Sequence, residues 1–483
     1  MQLKLALPKG QLLQDTRYLL HRSGLEVSGY EEQSRSYRPE CRNLPNVFLK
    51  VFNEKDIPIQ VAVGNYDLGI CGQDWVEELL AKYPSSALVK VQNLGYGTRR
   101  LWVAAASASG IQSIEKLNGR ADNIRIATEY PNLAEAFALT RRFKRFAIFP
   151  LWGGAEVYPP ESADLALIAD SLGNHSDYDL VPVGTILESN ACLIAYRPSW
   201  ESKNMAPLLD RLCATVGRRD TSAAKTSKPS ALYDSSRSQS LGDSECVWIA
   251  IADGHQQKPT LEFLARAGLN ISENPRNPRR PSINAEGIKV KVIRPQDMPL
   301  QVANGNFDLA ITGEDWLTDH LYRFPSSPVK NILTLGFGRV RIVAVVSKKL
   351  AIQNPEDFRA PLRRQEIATL RIASEYVNIA DMYAREHHLS PCRLIPTWGA
   401  SEAFLPEDAD LLIENTQTGQ TIAQHGLRII DTLFESSACL IGSTRAADGI
   451  KERRIAEIVR RLERTLKEVR SQKEELWNSR LSP

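Results

Sequence analysis

The chain is written twice. "VAVGNYDLGICGQDW" at 61–75 returns as "VANGNFDLAITGEDW" at 302–316. "LGYGTRRLWVAAAS" at 94–107 returns, one residue shorter, as "LGFGRVRIVAVVS" at 335–347, and "IRIATEYPNLA" at 124–134 as "LRIASEYVNIA" at 370–380. "PLWGGAEVYPPESADLAL" at 150–167 matches "PTWGASEAFLPEDADLLI" at 396–413, and "LESNACLIAY" at 187–196 matches "FESSACLIGS" at 434–443. The order is collinear and the offset drifts only from 241 to 247. Such self-similarity sets the architecture before any local pattern does: residues 1–216 form one copy and 246–483 the other. Between them "GRRDTSAAKTSKPSALYDSSRSQSLGDSE" (217–245) is polar, Ser-rich and without apolar period. That composition favours a flexible linker over a phosphorylated or docking segment.

Within each copy, short apolar runs alternate with amphipathic stretches. "LKLALPKG" reads as a strand ending in a turn, and "LLQDTRYLLHRSGL" as a helix closing at Gly24. "YDLGICG", "LWVAAA", "IRIAT" and "ADLALIAD" read as buried strands. Strands that alternate with helices predict α/β units with mainly parallel sheets. In the tail, Ile455, Ile458, Val459, Leu462, Leu466 and Val469 recur at helical spacing amid charges, predicting a helix that packs on its own domain.

The balance of 60 basic against 57 acidic residues gives no polyelectrolyte signature, so neither nucleic acid nor a membrane surface is expected as partner. Seven scattered cysteines without C-x-x-C spacing read as free thiols of a reducing compartment. The start "MQLKLALPKG" is too short for a secretory apolar region, and no window is long enough to span a membrane. A cytoplasmic protein is the expectation.

"LPKGQLL" (7–13), "RPQDMPLQV" (294–302), "GNFDLAITGEDW" (305–316), "LGFGRVR" (335–341), "ASEYVNIAD" (373–381), "ADLLIENTQTGQTIAQHGL" (409–427) and "ESSACLI" (435–441) stand in one order. In that order they resemble the catalytic chain of ATP phosphoribosyltransferase, the first enzyme of histidine biosynthesis. The resemblance covers both copies apart from the linker and tail. It implies tandem copies of a two-lobed unit of the type II periplasmic-binding-protein kind, with the active site between the lobes. It implies a reaction in which adenine N1 of ATP attacks C1 of phosphoribosyl pyrophosphate (PRPP), with Mg2+ on the phosphates. It also implies a homo-oligomer, histidine as an effector, and a regulatory subunit related to histidyl-tRNA synthetase. A non-catalytic nucleotide-, PRPP- or histidine-binding paralogue is the alternative.

The reaction asks the protein to hold two polyanions in line and to neutralise departing charge. No covalent nucleophile is required, and no protein-ligated metal is predicted. Thr418, Gly419, Gln420 and Thr421 follow an expected strand and precede an expected helix, so backbone N–H groups and hydroxyls converge where the 5-phosphate of PRPP would sit. Glu414 is the candidate for the ribose hydroxyls. Arg294 is the guanidinium expected to face pyrophosphate. Glu402 is a candidate catalytic carboxylate, its fold role equally open; Asp315 is either a ligand or a helix cap. Gly336 and Gly338 read as a lobe hinge.

The copies differ at these positions. In the first, the loop reads "SLGNHSD" (171–177), Ile168 replaces Glu414, and Asn53 replaces Arg294. In the second, "LPKG" has become "IADG", so Asp253 replaces Lys9. The expectation is a flawed site in the second copy and a worse one in the first, with Lys9 or Arg38 lent across the internal interface.

Overall fold

The computed structural model describes residues 2–34, 36–117, 122–171, 178–216, 245–275, 277–445 and 449–481. The expected linker, all but its last residue, lies outside these. So does the loop 172–177.

Each copy folds into two lobes. The N lobe of the first carries a five-stranded sheet in the order Val47–Phe52, Leu3–Pro8, Leu68–Gly72, Ala191–Tyr196, Leu88–Asn93. Its inserted lobe has the order Leu180–Ser189, Arg99–Ala106, Leu165–Ser171, Ile124–Thr128, Phe146–Pro150. The second copy repeats both sheets strand for strand, from Val247–Ala252 through Ala438–Ser443. This is the type II binding-protein architecture. The expected strands and the helix Leu13–Arg22 all form. The N-lobe sheet is mainly parallel in direction, as expected: four strands run one way, and the return strand Ala191–Tyr196 lies antiparallel between Leu68–Gly72 and Leu88–Asn93. A chain that leaves one lobe for the other and returns must bring its return strand back in the opposite sense.

The crossover of the second copy lies at Gly336 and Gly338, whose φ angles of 76° and 62° suit a residue without Cβ. Beside it, Leu335 N donates to Ala438 O and Ala438 N to Phe337 O, so outgoing and returning chains are tied together. The C-terminal helix Gly449–Leu481 buries Ile458, Leu462 and Leu466 against the N lobe of its own copy, as its apolar spacing predicts.

The copies pack head to tail. Ala6, Phe52, Ile57 and Tyr66 of the first N lobe share one buried cluster with Val343, Val345, Phe404 and Leu412 of the second inserted lobe. The reciprocal pairing joins Leu151, Val157 and Tyr158 to Ile293, Met298 and Phe307. Two fully buried lysines mark the equivalent seams. Lys50 Nζ pairs with Glu407 at 2.8 Å and Asp408 at 2.6 Å, whereas Lys291 Nζ pairs with Glu161 at 2.9 Å. Ser162 stands where Asp408 would be. Burial, and then the nearby Arg280 charge, pulls Lys291 down to about 8.

Candidate functional site: a cleft shared by two copies

Head-to-tail packing decides which residues meet. The loop after strand Leu411–Thr416 belongs to the second copy, and what faces it belongs to the first. Lys9, Ser34 and Tyr37 line one cavity of about 410 Å3 together with Thr418, Gln420, Thr421 and His425. Tyr37 stacks on His425 with ring centroids 5.1 Å apart, and Lys9 Nζ lies 5.2 Å from the Tyr37 centroid. Lys9 supplies the formal positive charge of this lining. A second cavity of about 500 Å3 shares Lys9, Ser34 and Tyr37 and runs on past Gln11, Gln14 and Tyr30.

The loop is tighter than its sequence suggests. Gly419 takes a left-handed turn at φ 76°, and the helix after it spans only Gln420–Gln424. Gly419 N donates to Thr416 Oγ1 at 2.9 Å and Gln420 N to Thr418 Oγ1 at 3.3 Å. Two N–H groups expected to face a ligand are therefore held by hydroxyls. Thr418 is exposed, so a rotamer change releases its share.

Behind the loop stand three carboxylates of the second copy. Glu375 is pushed up to about 7 by burial and then by the Glu402 charge, against hydrogen bonds from Gly399 N and the Gln296 amide. Glu414 is raised by burial and by Glu375 and Glu402. Burial, then the charges of Glu402 and Glu414, pushes the Tyr37 hydroxyl up to about 12. A residue of the first copy thus lies within the field of the second copy's acidic cluster. Sequence reading missed Tyr37, His425 and Glu375. Glu375 had a signal, since it repeats as Glu129 in "ATEY" and "ASEY"; Tyr37 and His425 meet only through the fold.

Three expected site residues stand elsewhere. Arg38 donates to Glu407 at 3.2 and 2.8 Å and to Leu405 O, and Arg280 does the same with Glu161 and Pro159 O in the other half. A contact repeated in both halves joins the copies rather than serving one loop. Asp315 is buried, accepting from Tyr376 Oη at 2.6 Å and Ser436 Oγ at 2.7 Å, and Asp74 repeats this with Tyr130 and Ser189. It pins the two lobes together at the crossover. Arg294 does not line the loop cavity. Its Nη1 pairs with Asp253 at 3.2 Å, and it lies against Gly153 of the first copy, where a Cβ would come 3.2 Å from its Nε.

The asymmetry changes meaning accordingly. Asp253 does not oppose the Thr418 loop; it pairs with Arg294 and Arg279, and Arg279 reaches Glu156 of the first copy at 3.4 Å. Lys9, Glu414 and the loop fall in one shared cleft, while Asp253 and Ile168 fall in the other. Only the Asn53/Arg294 position breaks this sorting: Asn53 Nδ2 reaches Trp398 O at 2.7 Å.

These features define a fused pair of bilobal α/β units with the Thr418–Thr421 loop in one shared cleft. The family model described as HisG, ATP phosphoribosyltransferase, matches residues 53–214 and 294–464, more than half of the chain. The chain belongs to the ATP phosphoribosyltransferase family. The ATP phosphoribosyltransferase of Chlorobium chlorochromatii is 30% identical over 42% of this chain and 66% of its own length. That of Metallosphaera sedula is 33% identical over 39% of this chain and 62% of its own. The chain thus spans a little under two thirds of both relatives. A solved ATP phosphoribosyl transferase (HisG:HisZ) complex from Thermotoga maritima is 21% identical, with a TM-score of 0.38, over 45% of this chain and 100% of that one. Among the described residues no two cysteines form a disulfide, and no helix is long and apolar enough to cross a membrane.

Proposed function

We propose that the chain is an ATP phosphoribosyltransferase with one working site, built by the N lobe of the first copy and the inserted lobe of the second. The observation that carries this reading is the shared cavity in which Lys9 meets Thr418 and Thr421. PRPP places its 5-phosphate on the Thr418–Thr421 loop, with Glu414 on the ribose hydroxyls. Its pyrophosphate points towards Lys9. The adjoining cavity along Gln11 and Gln14 receives ATP.

The C1–O bond to pyrophosphate breaks, the pair leaving with pyrophosphate, and the adenine N1 lone pair forms the new bond to C1. Lys9 is worth most as the leaving group gains charge, because a fixed cation costs no reorganisation at that moment. Glu402 favours positive charge growing on the ribose ring. Mg2+ would be held chiefly by the substrate phosphates and water rather than by a set of protein ligands, and would supply further neutralisation of the departing pyrophosphate.

The case for a non-catalytic paralogue rested on each copy lacking a residue the other keeps. Across the shared cleft, Lys9 and the loop complement each other, which weakens that argument at every position but Asn53, the counterpart of Arg294 on this side. Purified full-length chain with ATP, PRPP and Mg2+ is expected to accumulate phosphoribosyl-ATP by absorbance. Saturable PRPP binding without turnover would return the paralogue reading.

A further inference from the structure

A cavity of about 740 Å3 lies where the two copies meet, away from the loop cavity, and both copies line it with equivalent residues. Trp75 and Trp152 come from the first copy, Trp316 and Trp398 from the second, with Glu129 and Glu375 beside them. Trp75 stacks on Tyr130 at 4.2 Å and Trp316 on Tyr376 at 4.1 Å, so the two halves repeat in detail.

Among several exchanges between the halves, such as Leu79 for His320 and Leu151 for Thr397, one removes a lysine. In the first half Lys55 Nζ lies 4.8 Å from the Trp75 ring centroid and 2.5 Å from Glu129 Oε2. The chain fills this half with its own ammonium, held by an indole face and a carboxylate. In the second half the position of Lys55 is taken by Gln296, which carries no charge. Its amide donates to Glu375, and its Oε1 is buried without a hydrogen-bond partner. A buried acceptor left without a donor costs free energy. Of the other charged groups in the lining, Glu78 and Asp319 cap the helices beginning at Pro131 and Val377, Asp297 accepts from Trp152 N, and Lys82 and Arg323 lie over the Tyr83 and Phe324 rings. Arg294 acts on Glu375 at a distance, its Nη1 held by Asp253.

We propose that the Trp316–Gln296–Glu375 half of this cavity binds a primary ammonium group, an alkylamine cation of the kind Lys55 presents in the other half. The indole face attracts the cation, the Glu375 carboxylate accepts a charge-assisted hydrogen bond, and Gln296 Oε1 accepts another. The first half serves as the template for the second. Nothing in this depends on the transfer reaction.

The test is a titration of the full chain with n-butylammonium chloride at constant ionic strength, read by tryptophan fluorescence and calorimetry. One saturable amine per chain is expected, with 1-pentanol giving no saturable signal. Glu375→Gln should weaken binding about ten-fold, the scale of one charge-assisted contact. Gln296→Lys should abolish it and raise the melting temperature, because the chain then carries its own ammonium in both halves. No saturation, an equal response to 1-pentanol, or a Gln296→Lys chain that binds like the parent would overturn the proposal.

Discussion

The two shared clefts are built from equivalent elements and have opposite chemistry. One presents Lys9, Tyr37 and a threonine-bearing loop around cavities open to a ligand. The other presents Asp253, Arg279 and Arg294, which neutralise one another and Glu156 across the seam. Ion pairs that satisfy themselves leave no charge for a polyanion. Duplication followed by fusion lets one cleft lose its ligand chemistry while keeping its packing, because the packing of each half is needed to complete the other.

The sharpest way to break this comparison is to exchange lysine and aspartate effects. Lys9→Ala should lower kcat for phosphoribosyl-ATP formation by about 100-fold or more, the scale of removing one fixed donor to developing charge. Asp253→Ala should leave it within about two-fold, a change too small to represent such a donor. Loss of turnover on changing Asp253 alone would mean that the ion-paired cleft is the working one.

The buried lysines test the seams. Removing Lys50 leaves Asp408 and Glu407 facing an apolar interior with Arg38 as the remaining partner of Glu407, at a cost of about 3–5 kcal/mol by urea unfolding. Lys291→Ala should cost less. Glu161 keeps Arg280 at 2.9 Å, and Lys291 already gives up stability because its folded state holds the proton more weakly.

The repeat, the strands and the tail helix were legible because they depend on local periodicity and self-similarity. The antiparallel return strands were not, since their direction is set by lobe crossing rather than composition. Lys9 and the Thr418 loop were legible as residue types, and Lys9 was a candidate for lending across the interface. What sequence could not supply was the head-to-tail arrangement that puts Asp253 opposite Glu156 instead of opposite the loop. The same lack left Asp315 open between ligand and helix cap, and Arg38, expected to reach across the interface, without a named partner. Residues that pair across 369 positions, as Arg38 and Glu407 do, leave no local pattern.

Glu375 distinguishes the two halves of the central cavity by pH. Its folded value near 7 lies above the ordinary 4.5 of a free glutamate, so the folded state holds the proton more tightly. The parent therefore loses stability as pH rises from about 4.5 to about 7, with the loss complete above that. Glu375→Gln removes the titration. The variant should gain relative to the parent by roughly 2–3 kcal/mol between pH 5 and pH 8, measured by urea unfolding at each pH. A constant difference across that range would show that Glu375 has a partner of its own, as Glu129 has in Lys55.

The smallest expected effect concerns Tyr37, the first-copy ring between Lys9 and His425. If the ring holds Lys9 towards the loop, Tyr37→Ala should raise the PRPP KM about ten-fold, a contact worth about 1.4 kcal/mol. Tyr37→Phe keeps the stack and should stay within about two-fold, since aromatic pairing rather than the hydroxyl supplies this energy. Arg279, which occupies the equivalent position in the ion-paired cleft, provides the control: Arg279→Ala should leave the PRPP KM unchanged while lowering stability. A Tyr37→Phe chain as impaired as Tyr37→Ala would move the role from the ring to the hydroxyl, whose proton is held tightly beside Glu402 and Glu414.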